Sequence, residues 1–294
     1  MDNVKVIIDK SYENKTIKEF LKSNNVGRGK VENIRVTKSS YINGKYCNLE
    51  TILKEGDELV FTFNEEIDFV CDDIFLNVVY EDDYVLIVDK IPNIIIHPDD
   101  KNKGGTLVNI VANYYKKNNI NRKVRYLHRI DKETTGLVIF AKDFLSEAIL
   151  LKDIESHKVV RKYVALVEGK LEKKEGVINA PIKQDRHVNG KMCVYKNGKE
   201  AITNYKVLKQ YNDFSLVEFV LQTGRTHQIR VHSSYIKHPL LGDVLYGGDM
   251  CLINRVALHS YKVSFTHPIS KKTIEVSLDL PNDFNTLLNR KNAE

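Results

Sequence analysis

The stretch RYLHRIDKETTGLVIFAK, Arg125 to Lys142, joins a polar cluster to an apolar run, Leu137 to Ala141. A run of that length beside a Thr134-Thr135-Gly136 turn signal predicts a buried strand. The single carboxylate Asp131, preceded by His128 and Arg129, is therefore expected where a loop enters the core. An acid placed there calls for partners elsewhere in the chain.

Working outward, further strand patterns lie at Val78–Tyr80, Tyr84–Asp89, Tyr163–Val167 and Phe214–Leu221. They alternate irregularly with two helix patterns. One follows Thr106, with Leu107, Ile110, Val111 and Tyr114 at core spacing; the other carries Leu145, Ala148, Leu151 and Ile154. Neither a Walker loop nor a Gly-x-Gly-x-x-Gly turn is present. The pattern predicts an α+β domain, residues 76–294, built on a mixed, largely antiparallel sheet.

Residues 1–62 read as a small separate α/β unit. A strand begins it at Val4–Ile8, a helix opens on Thr16 as N-cap ahead of Phe20 and Leu21, and LKEGDELVFTF closes it on a strand. Between Lys10 and Lys45 nine Lys and Arg residues stand against three Glu, which points to a positive face. Residues 63–75, with Glu65, Glu66, Asp72 and Asp73, predict an acidic linker.

The composition, 42% hydrophobic over 294 residues, supports a substantial core. Its apolar stretches, such as Val85–Val88 and Asn93–Ile96, are far short of the ~20 residues of a membrane helix. The start MDNVKVIIDK mixes Asp and Lys into its apolar residues and offers no secretory signal pattern. A cytoplasmic monomer without membrane contact is the expectation. Cys47, Cys71, Cys193 and Cys251 form no Cys-x-x-Cys pair, so neither a zinc site nor a disulfide framework is indicated. The net charge of +6 suits a polyanionic partner without demanding one.

Four polar constellations remain: His128–Asp131, Lys162-Tyr163, Thr223–His232, and His238–Asp243 followed by Tyr246-Gly247-Gly248. The first differs from a kinase His-Arg-Asp loop, because Ile130 intervenes and no Asp-Phe-Gly or glycine-rich nucleotide loop accompanies it. His227, His232 and His238 cluster but match no metal-ligand spacing. An Asp beside an Arg stays ionised and can act as nucleophile or electrostatic stabiliser. A Tyr adds a flat face and a phenol. A carboxylate near an anomeric carbon is the usual device for cleaving a glycosidic bond, and a nucleoside in RNA would also require a stacking platform and a means of displacing the base.

At this point Arg125–Lys142 resembles the signature of the RluA-type pseudouridine synthases, His-Arg-Leu-Asp followed by Thr-Ser-Gly, here HRID and TTG. YVLIVDKIPNIIIHP, RKYVALVEG, GRTHQIRVH, HPLLGDVLYGG and RVALHSYKVSFTHP are similar to the family's other landmarks, in order, over residues 76 to 285. The resemblance implies an enzyme that detaches uracil from a uridine in RNA and rejoins it through carbon 5, with no cofactor or metal. It assigns Asp131 as the catalytic aspartate, Tyr163 as the tyrosine that stacks on uracil and is implicated in removing the carbon 5 proton, and Arg225 as the arginine paired with the aspartate. It also makes Arg129 the residue that helps displace the target base and Ile229 one that packs on it. His128, Lys162 and Arg230, in the same motifs, are further substrate-binding candidates. Departures are Asp89 for the usual Asn, and Ile91 and Asn93 where Lys-Pro-x-Gly is common; Asn93 can take the left-handed turn of that glycine. The N-terminal unit resembles the S-four-like RNA-binding domain, which favours large-subunit ribosomal RNA as partner, with transfer RNA as the alternative. A noncatalytic RNA-binding or ribosome-assembly factor on the same fold is the competing class, and the presence of Asp131, Tyr163 and Arg225 argues against it.

Overall fold

The computed structural model describes residues 2–99 and 103–293, with side chains through residue 290. The chain opens with β1 (Asp2–Ile7), α1 (Ile17–Ser23), α2 (Arg28–Thr37), β2 (Ser40–Ile42), β3 (Lys45–Tyr46) and β4 (Glu58–Phe63). The strands form an antiparallel sheet in the order β1-β4-β2-β3. Thr16 caps α1 as its sequence predicts: its hydroxyl accepts from the Glu19 N–H at 3.1 Å, and Glu19 accepts from the Thr16 N–H at 2.8 Å. Of the basic residues along this unit, Lys18, Lys30 and Arg35 are ion-paired, whereas Lys22, Arg28 and Lys38 are exposed and carry no ion pair among the described residues.

The larger part follows as β5 (Asn77–Glu81), β6 (Val85–Lys90), α3 (Leu107–Lys117), β7 (Arg125–Tyr126), β8 (Thr135–Ala141), α4 (Phe144–Glu155), β9 (Val160–Glu168) and β10 (Glu175–Asn179). It continues with β11 (Ile182–Gln184), β12 (Met192–Val194), β13 (Ile202–Gln210), β14 (Phe214–Leu221), α5 (Gln228–Tyr235), β15 (Leu258–Thr266), β16 (Thr273–Ser277) and α6 (Asn282–Ala293). A ten-stranded sheet runs β10-β13-β14-β9-β15-β8-β6-β5, with β16 on β15 and β7 on β8, while β11 and β12 form a separate ribbon. Among the described residues β8 with β15 is the one parallel pair, so the fold is the largely antiparallel α+β that the sequence predicts. No described helix is long and apolar enough to cross a membrane.

The run at the head of the sequence analysis is β8, and Leu137–Ala141 are fully buried in it. The Thr-Thr-Gly signal is not a free turn. Thr135 and Gly136 already belong to the strand, and Gly136 lies against Ser260 of β15 with φ +107°. A Cβ there would sit 2.8 Å from the Ser260 carbonyl carbon and closer still to its oxygen. Only glycine lets the two backbones meet at this point.

Two other expectations shift. In α3 it is Tyr115 that is fully buried, while Tyr114 lies at the edge and donates its hydroxyl to Glu81. The stretch expected as an acidic linker has neither helix nor strand over residues 64–76, yet it is strapped to the larger domain. Glu65 is buried against Arg125, Asp68 accepts from the Val124 N–H, Asp73 pairs with Lys117, and Ile67 and Phe69 pack on the main core. The N-terminal unit is also not free-standing: Phe61 and Phe63 meet Phe144 edge-on, and Leu145 of α4 completes their apolar cluster.

Gly136→Ala is expected to lower stability by about 2–5 kcal/mol, combining left-handed strain with overpacking against Ser260. A denaturant melt unchanged from wild type would show that β8 and β15 can move apart at little cost.

Candidate active site

Asp131 stands on a ridge between two clefts, one of about 500 Å³ and the other of about 670 Å³. Its neighbours come from distant parts of the sequence. The smaller cleft is lined by His128 and Arg129 from the same loop, by Tyr163 of β9, and by the Gly224–Arg230 segment that leads into α5. Ile130, just before Asp131, is buried in the core, which anchors the loop from below.

The geometry corrects one pairing. Arg225 does not hold Asp131; it is exposed, and its Nε donates to the Glu200 carbonyl at 2.8 Å. Arg230 takes that place, with Nη1 3.5 Å from the Asp131 carboxylate. Its Nε and Nη2 are bound to Asp243 at 2.7 and 2.8 Å, so a fully buried carboxylate fixes the fork and leaves one nitrogen for Asp131. These two carboxylates raise the Arg230 pKa in spite of its burial. The reason lies in the local structure: Arg225 stands in the loop before α5, whereas Arg230 is inside the helix, on a frame that can aim it.

His227 lies 4.0 Å from Asp131 through Nε2, while its Nδ1 shares a 2.9 Å hydrogen bond with the Tyr246 hydroxyl. Burial lowers its pKa, against the opposing pull of Asp131, so the imidazole is neutral at pH 7. Tyr246 also accepts from the Met192 N–H at 2.9 Å, and burial pushes its phenol up to about 12. His232 is bound to Thr203 and the Ala180 carbonyl, and His238 to the Glu168 carbonyl. The three histidines are thus tied to separate partners.

Tyr163 and Ile229 line the same cleft as Asp131, as the sequence reading groups them. Burial raises the Tyr163 pKa and keeps the phenol protonated at neutral pH. Arg129 is exposed where the two clefts meet. His128 reaches the cleft but has a structural task, because its Nε2 accepts the Ile139 N–H of β8 at 3.2 Å. Burial, reinforced by Arg161, pulls its pKa down to about 3. Lys162 falls outside the site. Successive strand residues face opposite sides of a sheet, and Lys162 lies across from Tyr163, near Glu218 at 3.4 Å.

The same alternation puts Arg161 beside Tyr163 in the cleft, a residue that strand periodicity could have singled out. Lys90 is harder to find. It is fully buried, and its ammonium donates to the carbonyls of Ile91, Ile94 and Lys132 at 3.0, 2.9 and 2.9 Å. It thereby ties the 91–94 loop, in which Asn93 adopts the expected left-handed φ of +65°, to the residue after Asp131. Burial draws its pKa down to about 7.

The chain resembles known proteins over most of its length. A family profile described as RNA pseudouridylate synthase matches residues 84–235, and one described as the RluD ribosomal pseudouridine synthase N-terminal domain matches residues 4–59. A Bacillus subtilis protein named uncharacterized RNA pseudouridine synthase YhcT is 40% identical over 260 residues, covering 87% of this chain and 84% of its own length. The ribosomal large subunit pseudouridine synthase D of Haemophilus influenzae is 34% identical, covering 82% of this chain and 78% of its own. In structure, human RNA pseudouridylate synthase domain containing 4 aligns with TM-score 0.62 at 22% identity, over 74% of this chain and 93% of that one, a likeness of fold.

Two outcomes are expected. Arg230→Met leaves the buried Asp243 unpaired and should cost about 3–5 kcal/mol in a denaturant melt, whereas Arg225→Met should stay within about 1 kcal/mol of wild type; equal losses would refute the exchange of roles. For Lys90 the folded pKa is near 7 and the ordinary value is 10.5, so above pH 7 the unfolded chain holds a proton that the folded chain releases. Stability relative to Lys90→Met should therefore rise with pH from 7 to 10, with a slope approaching about 1.4 kcal/mol per pH unit. A flat difference would mean that the buried ammonium stays charged throughout.

Proposed function

We propose that this chain, which belongs to the RNA pseudouridylate synthase family and is an RNA pseudouridine synthase, acts on uridines of large-subunit ribosomal RNA. The ribosomal assignment is supported by relatives named ribosomal large subunit pseudouridine synthase D, 34% and 38% identical, and by the match of residues 4–59 to the N-terminal domain of such an enzyme. The exposed Lys22, Arg28 and Lys38 of that unit suit contact with the phosphate backbone, which positions an RNA without reading its bases.

The observation that carries the chemical reading is the carboxylate of Asp131, held by Arg230 at the rim of a cleft that also contains Tyr163. In the isomerisation the C1′–N1 bond breaks, uracil turns, a C1′–C5 bond forms, and the C5 proton leaves as N1 regains one. Atoms and electrons balance within the nucleotide. Asp131 serves as the group that engages the nucleoside as the glycosidic bond opens, and Arg230 holds its carboxylate in place. Tyr163, a protonated phenol, offers a flat wall for the detached base. Ile229 closes the cleft beside it, and Arg129 is free to move into the space that a displaced base vacates.

The test is a pseudouridine-specific chemical map of total RNA from cells lacking the gene, restored with wild type or Asp131→Asn. Particular large-subunit uridines should lose the modification and regain it with wild type alone, while the Asp131→Asn protein still binds RNA. Restoration by Asp131→Asn would remove Asp131 from the chemistry, and a loss confined to transfer RNA would reassign the substrate.

A further inference from the structure

Arg161 is a cation without a counterion. Its side chain is 8% exposed, lies in the cleft with Asp131 and Tyr163, and makes no ion pair or hydrogen bond among the described residues. Its Nε is wholly enclosed and unpartnered. The guanidinium lies against Gly224, whose added Cβ would stand 3.6 Å from Nη2 and 3.8 Å from Nη1. Its field helps to depress the pKa of the neighbouring His128, whose own buried Nδ1 is likewise unpartnered. The other buried cations of the region are satisfied: Arg230 by Asp243 and Asp131, Arg125 by Glu65 and Glu147, Lys90 by three carbonyls.

A guanidinium cannot shed its proton to escape burial. A buried charge left unpaired opposes folding, so its retention in an accessible cleft marks a place that an anion completes. Uracil and ribose are neutral; the anionic group of an RNA is its phosphodiester. We propose that Arg161 binds a phosphodiester of the target strand and so seats the nucleotide whose base enters the cleft, an inference that rests on RNA being the substrate. The planar fork of Arg161 can present paired N–H donors to two phosphate oxygens, and the bare backbone of Gly224 leaves room on the guanidinium's flank.

The experiment compares full-length wild type, Arg161→Met and Arg161→Lys. Total RNA from cells lacking the gene, tritiated at uracil C5, serves as substrate, and thermal melts are run with and without inorganic phosphate. For Arg161→Met, KM should rise roughly tenfold or more, with kcat within about threefold of wild type and the salt slope of binding lower by about 0.7 to 0.9, one phosphate contact. Arg161→Lys should recover part of the KM. Phosphate should raise the melting temperature of wild type and leave that of Arg161→Met unmoved, and in its absence the Met variant should melt no lower than wild type. An unchanged KM and salt slope would overturn the proposal, as would equal phosphate shifts in both proteins. If wild type releases no tritium, the enzymatic reading fails by itself, and the phosphate melts alone decide on Arg161.

Discussion

The site depends on one buried ion pair, Arg230 with Asp243. Asp243 is fully enclosed, and it takes two of the guanidinium's nitrogens, so the third has a single direction left to it, toward Asp131. That rigidity is a property of the planar fork, and a lysine would not reproduce it. Asp243 is itself held by the loop that carries it. Gly242, with φ +73°, lies so close to Arg255 that a Cβ would stand 2.6 Å from the Arg255 carbonyl carbon, and Gly248 returns its N–H to the Asp243 carbonyl at 2.8 Å. The Asp131 carboxylate is thus aimed by contacts from α5 and from the tight loop that follows it, both about a hundred residues further along the sequence.

From the other side, Lys90 fixes the backbone of the same loop. Its three carbonyl acceptors bring together the turn after β6 and the residue after Asp131, so one side chain sets the spacing of two segments that share no secondary structure. Arg230 orients the Asp131 carboxylate, and Lys90 locates its main chain. Against this background of matched charges Arg161 is conspicuous, a buried guanidinium with no ion pair among the described residues.

The N-terminal unit and the larger part share more than the segment that connects them. Phe144 and Leu145 at the start of α4 enter the apolar cluster of the small sheet, and Glu65 joins Lys30 of α2 to Arg125 of β7. Buried ion pairs of this sort add little net stability but penalise every other arrangement strongly. Through Glu65 they tie α2 of the small unit to β7 of the larger part.

Local sequence determined much of this molecule: the buried strand at Leu137–Ala141, the Thr16 cap, the start of α3 at Thr106, the left-handed Asn93, and the grouping of Asp131, Tyr163 and Ile229. The first four follow from periodicity, capping chemistry and backbone preference, which act over a few residues; the grouping came from the resemblance of its motifs to those of the family. Strand alternation would also have separated Lys162 from the cleft and placed Arg161 in it. Tertiary structure alone decided which arginine meets Asp131, because Arg225 and Arg230 are equally basic in sequence and differ only in what α5 and Asp243 do to their direction. It also decided that Gly136 is a contact rather than a turn, and that the acidic stretch is a strap rather than a linker. Gly136 and Glu65 meet their partners from far away in the chain, and Arg230 meets Asp243 across a loop, pairings that local residue patterns do not encode.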